Sequence, residues 1–194
     1  PNAGGVLIVS LGCENNNLDV FKPFLKGIDE NKIRFLITQE VEDEYEEGMK
    51  YLDELTKYAS SFKREKVPIK YLTIGFKCGG SDSFSGITAN VVCGKLNNIF
   101  INNGGSSILT ETPEMFGAET ILMSRAANKK VFNELVSLIN DYKNYFKKYG
   151  ETIYENPSPG NKKGGISTLE EKSLGCVQKG GTSTIEDILD YGEY

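Results

Sequence analysis

The chain of 194 residues contains no histidine and no tryptophan. Histidine is the commonest acid–base group near neutral pH and the commonest metal ligand, so such chemistry must use Glu, Asp, Lys, Cys or Tyr here, or a histidine supplied from elsewhere. The missing tryptophan decides little. Because the sequence opens at Pro1 only shortly before a predicted strand, we expect a domain that belongs to a longer protein.

Long basic or apolar runs are also missing. The net charge is −5 and no basic block is present, so nucleic acid and anionic membranes are not expected partners. No apolar run approaches the roughly 20 residues that span a bilayer, and no secretory signal is visible. The four cysteines, at positions 13, 78, 93 and 176, are too scattered for a disulfide framework. They favour a reducing compartment, and we predict a cytoplasmic protein.

The hydrophobic pattern alternates between strands and helices. Four buried strands are predicted, at Val6–Leu11, Ile33–Thr38, Ile69–Ile74 and Ser107–Thr110. The helices predicted after them are Leu18–Leu25, residues 45–62, Ile87–Phe100 and a long helix from Thr112 to Gly150. This alternation is typical of an α/β fold, and we predict a mostly parallel open sheet with helices on both faces, which is a Rossmann-like arrangement.

The composition changes after Gly150. We assign residues 1–150 to an α/β core domain and residues 151–194 to a glycine- and lysine-rich C-terminal extension that packs on the core. The prolines and glycines of Asn156–Gly165 exclude a helix or a central strand. An irregular C-terminal extension that carries specific polar residues favours a functional flap over a linker.

Two short elements are predicted within this extension. Thr168 and Glu171 resemble a capping box, so a short helix is expected from there to about Gly175. Thr184–Leu189 is predicted to be a final short helix or strand.

One loop joins a thiol, a glycine pair and short oxygen-bearing side chains directly after a predicted strand. It runs from Cys78 to Gly86 and includes Gly79, Gly80, Ser81, Asp82 and Ser85. Loops at the carboxyl ends of strands border the ligand crevice of an open α/β sheet, and glycines let backbone N–H groups approach a ligand closely. The loop therefore predicts a polar, anionic ligand, with Cys78 as a metal ligand or a nucleophile.

Three cysteines lie beside glycines in predicted loops, namely Cys13, Cys78 and Cys176. Soft thiolates favour iron, zinc or an iron–sulfur cluster. The alternative is a small buried hydrophobic residue, which we assign to Cys93 and leave open for Cys13 and Cys176. No CxxC spacing supports a metal site.

Charged side chains near the predicted site include two carboxylates at the end of the fourth strand. Glu111 is a candidate metal ligand or general base, whereas Glu114 is more simply explained as a partner of the helix dipole. Lys162, Lys172 and Lys179 in the extension suit a carboxylate or phosphate ligand, and Lys163 is expected to be an ordinary surface lysine.

These residues belong to strings that resemble the altronate and galactarate dehydratases, a family that also includes a sulfolactate sulfo-lyase. The matching segments are residues 1–5, 12–15, 78–82, 84–90, 109–114, 117–119, 156–162 and 170–181. The resemblance implies an enzyme that eliminates water from a sugar acid to give a 2-keto-3-deoxy acid with the help of divalent iron. It also implies a separate N-terminal β-domain of the same enzyme, often with histidine, and we expect a homo-oligomer.

The resemblance and the residues together define an expected site. We expect Cys78, Glu111 and Lys172 to be catalytic. The residues expected to bind the sugar acid are Gly79, Gly80, Ser81, Asp82, Ser85, Asn90, Asn161, Lys162 and Lys179. The expected ligands of Fe²⁺, or of another divalent metal, are Cys78, Cys13, Cys176 and Glu111.

Two alternatives stay open. In the first alternative, the loop cysteines are ligands of an iron–sulfur cluster. In the other, the chain is a non-catalytic domain that binds the sugar acid or assembles a larger enzyme.

Overall fold

The computed structural model describes residues 3–25, 27–190 and 193. Pro1 and Asn2, from the first resembling segment, lie outside this range, as do three of the last four residues of the extension. The strands are β1 (Val6–Ser10), β2 (Ile33–Ile37), β3 (Thr73–Phe76) and β4 (Ser106–Leu109). The α-helices are α1 (Leu18–Phe21), α2 (Glu44–Ala59), α3 (Ala89–Asn102), α4 (Glu119–Met123), α5 (Lys129–Lys148), α6 (Pro159–Lys163) and α7 (Leu169–Val177). No helix in the described part of the chain is both long enough and apolar enough to cross a bilayer.

The chain divides into two compact units, Pro1–Lys66 and Val67–Tyr194. The residues after Gly150, which the composition assigns to a C-terminal extension, belong to the second unit. The first unit contains β1, α1, β2 and α2. All later elements belong to the second unit, which carries most of the candidate site residues.

The strands are parallel, as predicted, but the described residues form two separate two-stranded sheets. In one sheet β1 pairs with β2, from Val6 opposite Ile33 to Ser10 opposite Ile37. In the other, β3 pairs with β4, from Thr73 opposite Ser106 to Phe76 opposite Leu109. The α/β class is therefore confirmed, and the Rossmann-like open sheet is not. Pairing joins residues far apart in sequence, and hydrophobic periodicity carries no information about it.

The third strand starts later than predicted. Ile69–Tyr71 forms a 3₁₀ turn in which Leu72 N–H donates to the carbonyl of Ile69, so only Thr73–Phe76 is extended. The turn follows Pro68, whose fixed φ favours a turn start.

The long helix predicted from Thr112 is interrupted. Thr112–Met115 is a 3₁₀ turn that follows Glu111, a residue in the left-handed region with φ of 63°. Gly117, with φ of 89°, then ends the turn before the short helix α4. A new cap, the Asn128 side chain accepting from Val131 N–H, begins α5.

The exclusion of a helix from Asn156–Gly165 is wrong, because α6 spans Pro159–Lys163. Pro159 lies in the first turn, where proline is tolerated, and Ser158 and Asn161 cap the helix reciprocally. At α7, Thr168 caps as predicted, but the Glu171 carboxylate accepts from Ser167 N–H.

The last predicted element is not formed. Thr184–Leu189 is neither helix nor strand, and only Ile185 forms an isolated bridge, with Ala126.

The core of the second unit forms around α5 and the turn after β4. Leu135 and Ile139 of α5 are 2% exposed, as the three- and four-residue spacing predicts. They pack with Phe116 and Leu122, each 1% exposed, and with Val177 at the end of α7. The turn that carries Glu114 is therefore anchored to α5 and to α7 by apolar burial.

Gly94 of α3 lets the backbone after α7 approach closely. A Cβ at this position would lie 2.2 Å from the carbonyl oxygen of Gln178 and 3.1 Å from Gly181 Cα. Glycine inside a helix costs about 1 kcal/mol relative to alanine, so the position needs this contact to explain it.

We expect Gly94→Ala to lower the free energy of unfolding by about 1–3 kcal/mol despite its better helix propensity, because the clash is with backbone. Gly48→Ala in α2 is the matched control. Its Cβ would meet only Leu36 Cδ2, at 3.6 Å, and we expect it to be neutral or stabilising. Urea unfolding followed by circular dichroism measures both, and a stabilised Gly94→Ala protein would contradict the contact.

Candidate functional site

A buried ionic cluster lies where the turn after β4 meets α7. Glu114 Oε1 is 2.8 Å from Lys172 Nζ, and Glu114 Oε2 is 4.0 Å from Lys179 Nζ. The side chains of the two lysines are only 4% and 7% exposed, and that of Glu114 is 13% exposed. Two buried ammonium groups therefore face one carboxylate.

The charges in this cluster support one another. Burial alone raises the pKa of Glu114, but hydrogen bonds from Lys172 and Cys176 and the charges of the two lysines hold it below its ordinary value. Burial alone lowers the pKa of Lys172. The hydrogen bond to Glu114 and the negative charge of Glu114 outweigh burial and raise the pKa of Lys172. Glu114 and Lys172 are therefore both ionised at neutral pH.

Cys176 contributes a thiol to the cluster. Lys172 and Cys176 are four residues apart on α7, so both side chains project from the same face. Cys176 Sγ donates to Glu114 Oε2 at 3.0 Å. Burial, followed by the hydrogen bond to Glu114, raises the pKa of Cys176 to about 12. At neutral pH this residue is a buried thiol rather than a thiolate.

Asn161 connects the cluster to the Cys78 loop. Its Oδ1 accepts from Lys172 Nζ at 2.8 Å and from Ser158 Oγ at 2.9 Å. Its Nδ2 donates to the carbonyl of Ser81 at 2.8 Å. Both ends of this amide, which is 7% exposed, are occupied by protein groups. Asn161 therefore connects Lys172 to Ser81, and its role in binding the substrate stays a prediction.

Cys78 and Glu111 come together as predicted. The backbone N–H of Cys78, just after β3, donates to Glu111 Oε2 at 2.5 Å. Glu111 Oε1 is 4.0 Å from Lys77 Nζ, and the Glu111 side chain is 28% exposed. The Cys78 thiol is 3.4 Å from Ser81 Oγ. Among the described non-glycine residues only Glu111 has a positive φ, which is typical of a constrained site.

Asp82 and Ser85 shape the loop itself. Asp82 Oδ1 accepts from Phe84 N–H, Ser85 N–H and Ser85 Oγ at 2.9–3.0 Å. The bonds from Ser85 and the backbone hold the pKa of Asp82 below its ordinary value. Gly80, with φ of 132°, and Gly79 border open space, since a Cβ at either position would meet nothing within 4 Å.

A cavity of about 30 Å³ lies between this loop and α7. Of the predicted substrate-binding and catalytic residues, it is lined by Ser81, Asp82, Ser85, Asn90 and Lys172. Such a volume holds about two water molecules.

Two glycines form part of the wall of this cavity. A Cβ on Gly86 would lie 3.0 Å from Gly175 Cα, so the loop and α7 touch backbone to backbone. Asn90 Nδ2 donates to the carbonyl of Gly175 at 3.0 Å and fixes the same contact.

A second, smaller cavity of about 10 Å³ lies beside Lys179. Glu114, Cys176, Thr110 and Phe76 are among the residues that line it. The buried cluster therefore separates two small cavities.

Two predicted site residues are exposed. Cys13 belongs to the first unit, where it is exposed and accepts a hydrogen bond from Gln39 Nε2 at 3.4 Å. Lys162 is exposed on α6. Cys93, interpreted from sequence as a buried hydrophobic residue, is partly exposed.

The described residues do not form a complete metal site. Across residues 3–25, 27–190 and 193, no three His, Cys, Asp or Glu side chains lie together so that they could hold a metal ion. Cys78 and Glu111 offer two donors, and the Cys176 thiol is engaged with Glu114. The ligand set of Cys78, Cys13, Cys176 and Glu111 stays a prediction.

Glu114 is the residue that the sequence reasoning missed. A role as partner of a helix dipole does not describe it, because it lies in a 3₁₀ turn and binds two lysines and a thiol. The available signal was the spacing of Lys172 and Cys176 on one face of a predicted helix. A lysine on a face that becomes buried requires a carboxylate partner.

The family can now be assigned. Residues 69–194 match the C-terminal domain described as D-galactarate/Altronate dehydratase, C-terminal. Residues 1–60 match the domain described as D-galactarate dehydratase/Altronate hydrolase, second domain. The chain belongs to the D-galactarate/altronate dehydratase family, and the altronate and galactarate dehydratases among its relatives are hydro-lyases.

Particular relatives agree with this assignment. All of this chain aligns, at 58% identity, with an altronate dehydratase of Bacillus subtilis and, at 50% identity, with one of Escherichia coli. Its identity to a galactarate dehydratase (L-threo-forming) of Escherichia coli is 31%, again over the whole chain. The chain spans 39% of the length of each of these relatives.

We expect Glu114→Gln to lower the free energy of unfolding at neutral pH by about 3 kcal/mol, because it leaves two buried lysines without a carboxylate. Because the pKa of Glu114 is lowered in the native state, its ionised carboxylate stabilises the native state at pH values above the ordinary pKa of 4.5. This stability is lost as the pH falls through the native pKa. The Glu114→Gln protein should therefore lose less stability than the wild type when the pH is lowered.

Urea unfolding at a series of pH values measures this effect. Glu155→Gln, at an exposed position outside the helices and strands, is the control and should leave both the stability and its acid dependence unchanged. Equal acid dependence in the wild type and the Glu114→Gln protein would contradict the buried ion pair.

The cysteines should also differ in reactivity. We expect iodoacetamide to modify exposed Cys13 quickly and Cys176 only after unfolding, since Cys176 is 6% exposed with a pKa of about 12. Peptide mass spectrometry gives the order, and a urea-unfolded sample in which all sites react is the control. Equal rates at Cys13 and Cys176 in the native protein would show that the cluster is open to solvent.

Proposed function

We propose that the chain forms part of an enzyme that dehydrates a sugar acid, such as altronate, to a 2-keto-3-deoxy acid. The family assignment and the two altronate dehydratases at 58% and 50% identity support an aldonate substrate. The observation that carries the proposal is the pair of buried lysines that shares one carboxylate. Their excess positive charge suits the carboxylate of a sugar acid.

Lys172 and Lys179 are assigned to the substrate carboxylate. Dehydration removes the proton on carbon 2, and the electron pair left there develops negative charge next to the carboxylate. The pair then forms the carbon 2–carbon 3 double bond as the carbon 3 hydroxyl leaves as water, with a proton that balances the one removed from carbon 2, and the enol becomes the ketone. Fixed positive charge beside the carboxylate stabilises the developing anion. The raised pKa of Lys172 keeps it an ammonium group, which suits this role and not that of a base.

Glu111 is assigned as the general base. One of its oxygens is occupied by the N–H of Cys78, and the other lies toward exposed Lys77 at 4.0 Å. That second oxygen is the carboxylate oxygen available to accept a proton, and the left-handed backbone of Glu111 holds it at the mouth of the Cys78 loop. The Cys78 loop would bind the substrate hydroxyls.

Divalent iron stays part of the proposal, with the Cys78 thiol as the donor offered by this unit, because the second oxygen of Glu111 is assigned to the base. One donor does not complete a site, so the remaining ligands would come from other parts of the enzyme, such as the N-terminal β-domain that the resemblance implies. An iron–sulfur cluster stays an untested alternative. A cytoplasmic location and a homo-oligomeric state also stay predictions from the sequence.

The test is a turnover screen of the full-length protein with altronate, galactarate and sulfolactate in the presence of Fe²⁺. We expect altronate to be the preferred substrate. In the Lys179→Met protein kcat/KM should fall by about tenfold or more, which is the effect of one charge-assisted contact.

Lys163→Met is the matched control, because Lys163 is an exposed lysine of α6. Its kcat/KM should equal that of the wild type. No turnover of any of the three acids would refute the proposed function, and an unchanged Lys179→Met protein would remove Lys179 from the site.

A further inference from the structure

The turn that carries Lys179 has little conformational constraint of its own. Lys179 lies in the 3₁₀ turn Gln178–Gly180, and Gly181 follows with φ of 56°. Two consecutive glycines restrict the backbone less than any other residues would. The buried position of the Lys179 ammonium must therefore be set by the side chains that hold this turn.

Arg125, between α4 and α5, holds the turn from one side. Its Nη2 donates to the carbonyl of Gly180 at 3.1 Å, its Nη1 to that of Gly181 at 2.9 Å, and its Nε to that of Ser183 at 2.8 Å. One planar guanidinium thus binds three carbonyls within four residues. The ammonium of a lysine has three rotatable N–H donors and cannot form these three hydrogen bonds in the same fixed geometry.

Helix α3 holds the same turn from another side. Asn97 Nδ2 donates to the carbonyl of Gly180 at 2.9 Å. Asn98 Oδ1 accepts from Thr182 N–H at 2.9 Å and from Ser183 Oγ at 3.2 Å. The backbone on the carboxyl side of Lys179 is thus bound by the side chains of both elements.

The guanidinium of Arg125 is not an ion-pair partner. No carboxylate of the described residues lies within 4.0 Å of it. Within the same residues, its side chain donates hydrogen bonds to three backbone carbonyls of this turn. A partly buried cation without a carboxylate is costly unless its donors are satisfied, so its placement points to the turn it binds.

We infer that Arg125 is a positioning residue for Lys179. It fixes the turn after α7 so that the Lys179 ammonium stays buried beside Glu114 and the small cavity. This role rests on the proposed function, in which Lys179 binds the substrate carboxylate. Arg125 itself does not touch the substrate.

The kinetic test compares Arg125→Lys with Arg64→Lys, at an exposed arginine, in the full-length enzyme with altronate. We expect Arg125→Lys to raise KM about fivefold and to lower kcat as well, because the displaced ammonium binds the carboxylate and stabilises the developing anion less well. In a Lys179→Met background the same substitution should have no further effect on KM. A purely structural role of Arg125 would raise KM equally in the wild-type and Lys179→Met backgrounds, and that result would overturn the inference.

A second measurement does not depend on activity. Hydrogen exchange of the peptide from Val177 to Ser183 should be about tenfold faster in Arg125→Lys than in the wild type or Arg64→Lys, because its carbonyls are released. Faster exchange in Arg125→Lys, with no turnover by the wild type, would refute the proposed function but support the role of Arg125 in holding the turn. Unchanged exchange together with unchanged KM would show that Arg125 does not hold the turn.

Asn98→Ala covers the case in which Arg125→Lys does not fold. This variant removes the contacts of α3 with the same turn. It should also speed hydrogen exchange of the turn, and it should raise KM only when Lys179 is present. If its KM effect persists in the Lys179→Met background, the turn does not act through Lys179 and the inference is wrong.

Discussion

The ion pair between Glu114 and Lys172 is the interaction on which the candidate site depends. It joins the turn after β4 to α7, and through Asn161 it reaches the Cys78 loop and α6. Buried charges are stable only when they are paired and hydrogen-bonded, so these four segments are held to one arrangement. The apolar contacts of Phe116 and Val177 place the turn and the helix side by side, and the charges then fix their register.

The cluster also explains why the extension after Gly150 is part of the unit. Its helices α6 and α7 supply Asn161 and Lys172, and the turn after α7 supplies Lys179. The Cys78 loop and the turn after β4 supply the groups that these residues bind. A segment whose own sequence is rich in glycine acquires its structure from such contacts, because it has little apolar surface to bury.

Local patterns predicted the elements well and their assembly poorly. The buried face of α5 follows from the spacing of Leu135 and Ile139, and the caps of α7 follow from Thr168. The helix α6 was missed because its proline occupies the one turn of a helix where proline fits. The separate sheets and the role of Glu114 depend on contacts between distant residues, to which a linear pattern gives no access. Glycines and short polar residues did predict a loop after β3, because they favour turns over helices and strands, and the role of this loop in binding a ligand stays a prediction.

The contact between Gly86 and Gly175 limits how the cavity beside the Cys78 loop can diverge. That part of its wall is backbone on both sides, and a side chain on either glycine would push α7 away from the loop. The size and shape of the cavity can therefore change only through the side chains around it, such as those of Ser81, Ser83 and Asn90. Under the proposed function, a substitution at Ser81, Ser83 or Asn90 would alter which acid fits the cavity, whereas a side chain at either glycine would displace α7.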